Sequence, residues 1–350
     1  MAVIDADCHV IECEETWEYM EGEDRRHKPR ILEAADQSDP LRRNDFWLFD
    51  SNLEPKRAFP PASSGTTPES SELRDVEARL KHMDELGTDI QVLYPTTLLG
   101  LATLSRPRTQ IAMCRAYNRW MADIWHQAKG RLRWVATLPL QTMDVALEEL
   151  RFSRDNGACG FLLQGLMGER VPIDEDYFPV YAEASRLDMA VCIHSGLVNH
   201  ALSGIFHSRA TALWMAKVPI ITAFHALVLS RVPERFPDLR WGFLEAAASW
   251  VPYLITDLGA RLHRTGTRKL DEETDVLRRN RFYVACQTEE DLPYILQYAG
   301  EDHIVIGSDY GHADTSSQLE ALNILQRDEG VSAEARRKIV DDNARALYGL

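Results

Sequence analysis

The stretch Val3-Ile4-Asp5-Ala6-Asp7-Cys8-His9-Val10-Ile11-Glu12 sets the reading of the chain. A short apolar run enters it, and Asp7, His9 and Glu12 follow. Residues two apart on an extended strand point to the same side, so Asp7 and His9 face one way. Glu12 comes one turn-like step later. Imidazole and carboxylate at this spacing make two or three arms of a metal site. The pattern is common by chance, and its weight depends on what other strands place beside it.

Downstream, short apolar runs alternate with helical periodicity. Strands are expected at 89–95, 132–138, 159–164, 189–194, 240–245, 282–286 and 303–309. Helices are expected at about 74–86, 106–129, 143–156, 174–187, 208–232, 249–264, 288–299, 315–328 and 332–348. In the first of these Val76, Leu80 and Met83 recur at helical spacing, and Gly87 ends it. Apolar strands buried on both faces and alternating with helices imply a parallel sheet. Eight such strands predict an α/β fold of the (β/α)8 TIM barrel type. A doubly wound open sheet is the alternative, but no glycine fingerprint follows the first strand.

Typical barrels run about 250 residues, and this chain has 350. Much of the excess is 13–72, rich in proline and carrying Trp17, Tyr19, Phe46, Trp47, Phe49 and Phe59. Aromatics this dense are rarely left in water. The segment therefore reads as a cap inserted after strand one, within a single domain spanning 1–350.

Lys plus Arg number 39 against 54 Asp plus Glu, a net charge of -15. Such a surface repels phosphate backbones and anionic lipid, which argues against nucleic acid and membrane as partners. No apolar run approaches membrane-spanning length, and no signal-peptide pattern precedes Val3. The six cysteines form no CxxC pair and read as reduced thiols, so a cytoplasmic location is expected. A small-molecule substrate is the expected partner, with a homodimer left open.

Barrels of this kind carry their chemistry at the C-terminal ends of the strands. Here those ends are Asp7 and His9, Tyr94, Gln164, His194, Glu245, Cys286 with Gln287, and Asp309 followed by Tyr310 and His312. Ionisable groups converging on one mouth are costly without pairing or a bound cation.

The chain resembles the amidohydrolase superfamily, and within it the decarboxylase-like amidohydrolase 2 branch. The resemblance covers nearly all of the chain. It rests on residues 5–12, Cys192-Ile193-His194, Glu234-Arg235-Phe236-Pro237-Asp238-Leu239-Arg240, Phe243-Leu244-Glu245-Ala246, Gly307-Ser308-Asp309-Tyr310-Gly311-His312 and the closing 342–349. It implies a metal held by Asp7, His9, His194 and Asp309. The chain departs from the family pattern at three points. Asp7 stands where the strand-one pair usually begins with His. Gln164 stands near the point of a bridging lysine, and Glu245 ends strand six where a His is usual.

Asp7, Glu12, Glu245 and Asp309 with His9 and His194 make a carboxylate-rich set of the type two iron or manganese ions prefer. The set also resembles a small branch of the family that uses two irons to hydroxylate carbon. On that resemblance Glu12, His225 and Glu245 would hold a second iron, giving a dinuclear non-heme iron monooxygenase that takes dioxygen as a second partner. Its substrate would be bulky and largely apolar, with Trp17, Trp47, Tyr94 and Tyr310 around it and a carboxylate held by Arg42 or Arg43. The alternative is a mononuclear hydrolase or decarboxylase with one zinc or manganese, in which Asp309 or His312 is the base, metal-bound water the nucleophile and Glu245 an acid–base group. A non-catalytic binding barrel is the third reading, but seven candidate ligands argue against it.

Overall fold

The computed structural model describes residues 1–33, 45–50, 52–56, 61–196, 212–265 and 275–350. The opening stretch forms β1 (Ile4–His9), with all of its residues buried. Three short strands follow inside the insertion, β2 (Arg30–Leu32), β3 (Phe46–Phe49) and β4 (Asn52–Pro55), and pair as an antiparallel sheet. The remaining strands are β5 (Ile90–Tyr94), β6 (Leu132–Ala136), β7 (Ala158–Gln164), β8 (Ala190–His194), β9 (Trp241–Phe243), β10 (Phe282–Cys286) and β11 (Ile304–Ile306). With β1 they form one eight-stranded parallel sheet in chain order, with helices between the strands. This is the (β/α)8 architecture expected from the alternation. β7 and β8 are buried along their whole length, because helices cover one face and the barrel interior the other.

The sheet closes where the chemistry sits. Asp309 N donates to Asp7 O at 2.9 Å, and His9 N donates to Tyr310 O at 2.8 Å. Asp5 accepts from Ser308 N at 2.8 Å and Ser308 Oγ at 2.5 Å, a structural role at the seam. At this seam a Cβ on Gly307 would lie 2.4 Å from Asp7 Cβ and 2.8 Å from Asp7 O. Only glycine lets the two strands approach so closely. Gly307→Ala is therefore expected to force them apart and cost about 1–3 kcal/mol, as overpacking does. Thermal melting of the variant checks this, and an unchanged melting temperature would show that the seam gives way freely.

Two local differences from the sequence reading have clear causes. The helix Val76–Leu86 buries Arg79 together with Val76, Met83 and Leu86, and leaves Leu80 only partly covered. Arg79 Nε donates to Gln91 Oε1 at 2.7 Å, one guanidinium nitrogen reaches His9 O at 3.3 Å, and its plane lies 3.5 Å from the Tyr310 ring. A guanidinium with two nitrogens bonded and its face on an aromatic ring can occupy a core position that periodicity assigns to leucine. The helix expected from residue 315 begins only at Ala321. Before it, Gln318 N donates to Ser308 O at 2.9 Å and Ser317 Oγ donates to Asp309 Oδ2 at 2.5 Å, which holds the segment as a turn against strand eight.

The described part of the insertion is packed. Trp17 and Trp47 are buried, and their rings meet edge to face at 6.0 Å. Lys56 Nζ lies 3.0 Å from Glu14 Oε2, and Arg106 Nε lies 2.9 Å from Asp50 Oδ1. These contacts fasten the β3–β4 hairpin to the start of the insertion and to the segment after β5. Arg42, Arg43 and Phe59 lie outside the described residues. No helix among the described residues is long and apolar enough to cross a membrane. All six cysteines are free and buried.

Candidate metal centre

His9 ends β1 with its side chain fully buried. Its Nδ1 lies 2.8 Å from the carbonyl of Pro95, which can only accept, so Nδ1 carries the proton and Nε2 presents a lone pair. That Nε2 is buried and finds no hydrogen-bond partner among the described residues. It faces Asp309 Oδ1 at 3.4 Å and Asp7 Oδ1 at 3.7 Å. Burial, with His312 and His194 close by, holds its imidazole well below the ordinary range, so it does not meet these oxygens as a cation. A lone pair facing two carboxylate oxygens is repulsive unless a cation lies between them.

His194 ends β8. Its Nε2 is 3.2 Å from Asp7 Oδ1, and its Nδ1 is 3.0 Å from Ser195 O and 3.2 Å from Glu245 Oε2. Burial works against a charge there, but Asp7 and Glu245 outweigh it and lift the imidazole to about 10. A proton thus occupies a position that a metal ion would displace. Asp309 and His312 complete the group beyond β11. His312 Nδ1 lies 2.9 Å from Asp309 Oδ1, and its ring stacks on His9 at 3.8 Å. Thr96 Oγ1 donates to Val10 O at 2.8 Å, so at 2.9 Å from His312 Nε2 it accepts the imidazole proton. Burial opposes charge on His312, but Asp309 prevails and lifts it to about 9.

Donor atoms of Asp7, His9 and His194 lie within 4.8 Å of one another, as do those of His9, Asp309 and His312 and those of Glu245, Asp309, His312 and Asp314. Mixed nitrogen and oxygen donors, among them the buried His9 Nε2 that finds no hydrogen-bond partner among the described residues, fit a divalent ion. Asp309 and Glu245 have φ of 51° and 58°, the left-handed region that non-glycine residues seldom adopt. Such conformations persist where the surroundings impose them, commonly at functional sites. Asp7, Glu245 and Asp309 line one narrow cleft with Ala247, Cys286 and Gln287.

Other residues expected at the site are placed elsewhere. Glu12 is buried, and its carboxylate accepts from Thr96 N at 3.0 Å, Thr97 N at 2.8 Å and Leu98 N at 3.0 Å. Three backbone donors at the start of a short helix already satisfy that anion. His225 lies on Val218–Ser230, with Nε2 3.4 Å from Asp257 Oδ2. Neither residue joins the clustered donors among the described residues. Tyr94 stacks on His194 at 4.8 Å but directs its hydroxyl to Tyr348, 2.7 Å away. Tyr310 bonds to Ser70 Oγ at 2.9 Å and His82 Nδ1 at 2.7 Å, and Trp17 and Trp47 pack in the core. None of these four aromatics lines the cleft. Asp314 went unnoticed in the sequence because it sits in the loop after strand eight, with no periodicity to mark it. Its position five residues past Asp309 was the available signal.

Glu12→Gln separates the two roles considered for that residue. A glutamine offers one acceptor and turns an amide toward backbone N–H groups. The expected result is a loss of about 1–3 kcal/mol in stability with metal content unchanged. Loss of metal from the folded variant would restore Glu12 as a ligand.

A β/α barrel with imidazoles and carboxylates gathered at its mouth defines the class. The chain belongs to the amidohydrolase family, whose model matches residues 4–350. It is 21% identical over 291 residues to a 2-amino-3-carboxymuconate-6-semialdehyde decarboxylase of Dictyostelium discoideum, covering 79% of this chain and 77% of that protein. It is 27% identical over 299 residues to a gamma-resorcylate decarboxylase of Rhizobium sp., covering 78% and 87%. A crystal structure of 5-carboxyvanillate decarboxylase from Novosphingobium aromaticivorans, complexed with manganese and 4-hydroxy-3-methoxy-5-nitrobenzoic acid, superposes with a TM-score of 0.63 at 17% identity, covering 83% of this chain and 85% of that one. These relatives are decarboxylases, not oxygenases, which overturns the expectation of a non-heme diiron monooxygenase. Glu12, meant to hold the second iron, is engaged by backbone donors, and neither it nor His225 joins the clustered donors among the described residues.

Proposed function

We propose that the protein is a metal-dependent decarboxylase of a small aromatic or unsaturated carboxylic acid. The observation that carries this reading is the unpaired His9 Nε2 facing Asp7 and Asp309 in a barrel whose curated relatives remove carboxyl groups. Asp7, His9, His194 and Asp309 would hold one divalent ion. Manganese accompanies the related carboxyvanillate enzyme and suits this donor set. Such an ion would supply positive charge that stabilises the negative charge developing as carbon dioxide departs.

The protein's own groups do the rest. Pro95 O fixes the His9 tautomer, and His312 with Ser317 orients Asp309. Glu245 lines the cleft and accepts from Ser195 Oγ. Burial, reinforced by Asp309 and Asp314, pushes its carboxyl well above the usual range, so it can hold a proton near neutrality. As the bond between the ring carbon and the carboxylate breaks, the electron pair stays on that carbon. The Glu245 proton goes to it, carbon dioxide leaves, and Glu245 regains a proton from water.

The test is turnover by manganese-loaded protein on a panel of hydroxybenzoates and carboxylated dienes, followed by carbon dioxide release. Chelator-sensitive release is expected. Hydrolysis of esters, lactones or amides without carbon dioxide release would return the chain to the hydrolases of its family.

A further inference from the structure

Gln287 follows directly on β10 and lines the same cleft as Asp7, Glu245 and Asp309. Its side-chain Nε2 is buried and finds no hydrogen-bond partner among the described residues. A buried amide donor left unmade is uncommon and costly, and such groups are often completed by a ligand. The backbone here is held in place. Glu290 Oε2 accepts from Gln287 N at 2.8 Å, and the same carboxylate accepts from Ala248 N at 2.9 Å and Ser249 N at 2.6 Å. Glu290 therefore ties the loop carrying Gln287 to the loop that follows Glu245. The described lining of the cleft contains three carboxylates and no lysine or arginine. Beside those carboxylates, an anionic oxygen entering the cleft needs an uncharged donor such as the Gln287 amide.

We propose that Gln287 is a substrate-orienting residue whose Nε2 donates to an anionic oxygen of a carboxylate substrate. The inference rests on the decarboxylase reading for its substrate class, and on the geometry alone for the donor. Neutral amides suit this task because they read an oxygen without altering the charge around the metal ligands.

The experiment uses full-length, manganese-loaded protein with salicylate as probe, measuring both calorimetric affinity and decarboxylation. Gln287→Leu removes the donor at similar volume, and Gln287→Glu replaces it with an acceptor. Both are expected to lower salicylate affinity and kcat/KM by about 10–100-fold, the effect of one hydrogen bond to a charged group, with metal content and melting temperature unchanged. Wild-type turnover with unaltered variants would overturn the inference and leave the decarboxylase reading standing. Binding without turnover, weakened in both variants, would keep the inference and discard that reading. A wild-type protein that neither binds nor converts salicylate would overturn both. If Gln287→Leu loses metal or melts early, Gln287→Glu decides, and loss of metal from both variants would make the residue structural and overturn the inference.

Discussion

Glu245→Gln is expected to lower decarboxylation by about 10²–10⁴-fold while the protein keeps its metal. The substitution preserves shape but cannot deliver a proton to carbon. Glu245 suits that task because its carboxyl is buried and its neighbours Asp309 and Asp314 disfavour a further negative charge. Ser195 Oγ and His194 Nδ1 both approach Oε2, so the carboxyl is fixed in the cleft. The sign of the pH dependence follows. The protonated acid is the active form, so the rate falls as pH rises through its pKa, and the variant should lack that limb. Metal analysis accompanies the rate measurement. Loss of an ion together with activity would make Glu245 a ligand and remove it as the acid.

Replacing His194 with alanine should do more, abolishing metal binding and activity together. Its imidazole lies 3.2 Å from Asp7, and it is one of two nitrogen donors in the group formed with Asp7 and His9 among the described residues. Losing a partner that merely orients a ligand costs about 10–100-fold in metal affinity, so losing the ligand should exceed that. Stability should move differently. Without metal, wild-type His194 is protonated and its Nε2 pairs with Asp7 at 3.2 Å. Removing it leaves the buried Asp7 carboxylate without that partner, so the metal-free variant should melt below the metal-free wild type. Full metal occupancy in His194→Ala, measured after dialysis, would remove the residue from the centre.

The legibility of this protein divides along the range of the interactions involved. Strands and helices follow from periodicity, because each buries the face that its own sequence makes apolar. The eight-strand barrel and the strand-end positions of Asp7, His9, His194, Glu245 and Asp309 could therefore be read directly. Residue type at a strand end also announced chemistry, since a charge placed there demands compensation. Glu12 and His225 show where that logic stops. Both have the right chemistry, yet a carboxylate is equally content with backbone N–H groups, and Thr96, Thr97 and Leu98 supply them from the far side of a loop. The imidazole of His225 lies 3.4 Å from Asp257 on another helix and joins none of the clustered donors among the described residues.

Arg79 makes the same point in the core, where contacts with His9 O and Gln91, distant in sequence, allow a guanidinium where periodicity expects an aliphatic chain. The sequence by itself determined the barrel, the strand ends that carry chemistry and the acidic, oxygen-rich character of the donors. Only the tertiary structure decided which donors face one another and which are already satisfied. Coordination depends on distances of a few ångströms between atoms many residues apart, and hydrogen bonds from loops compete for the same lone pairs.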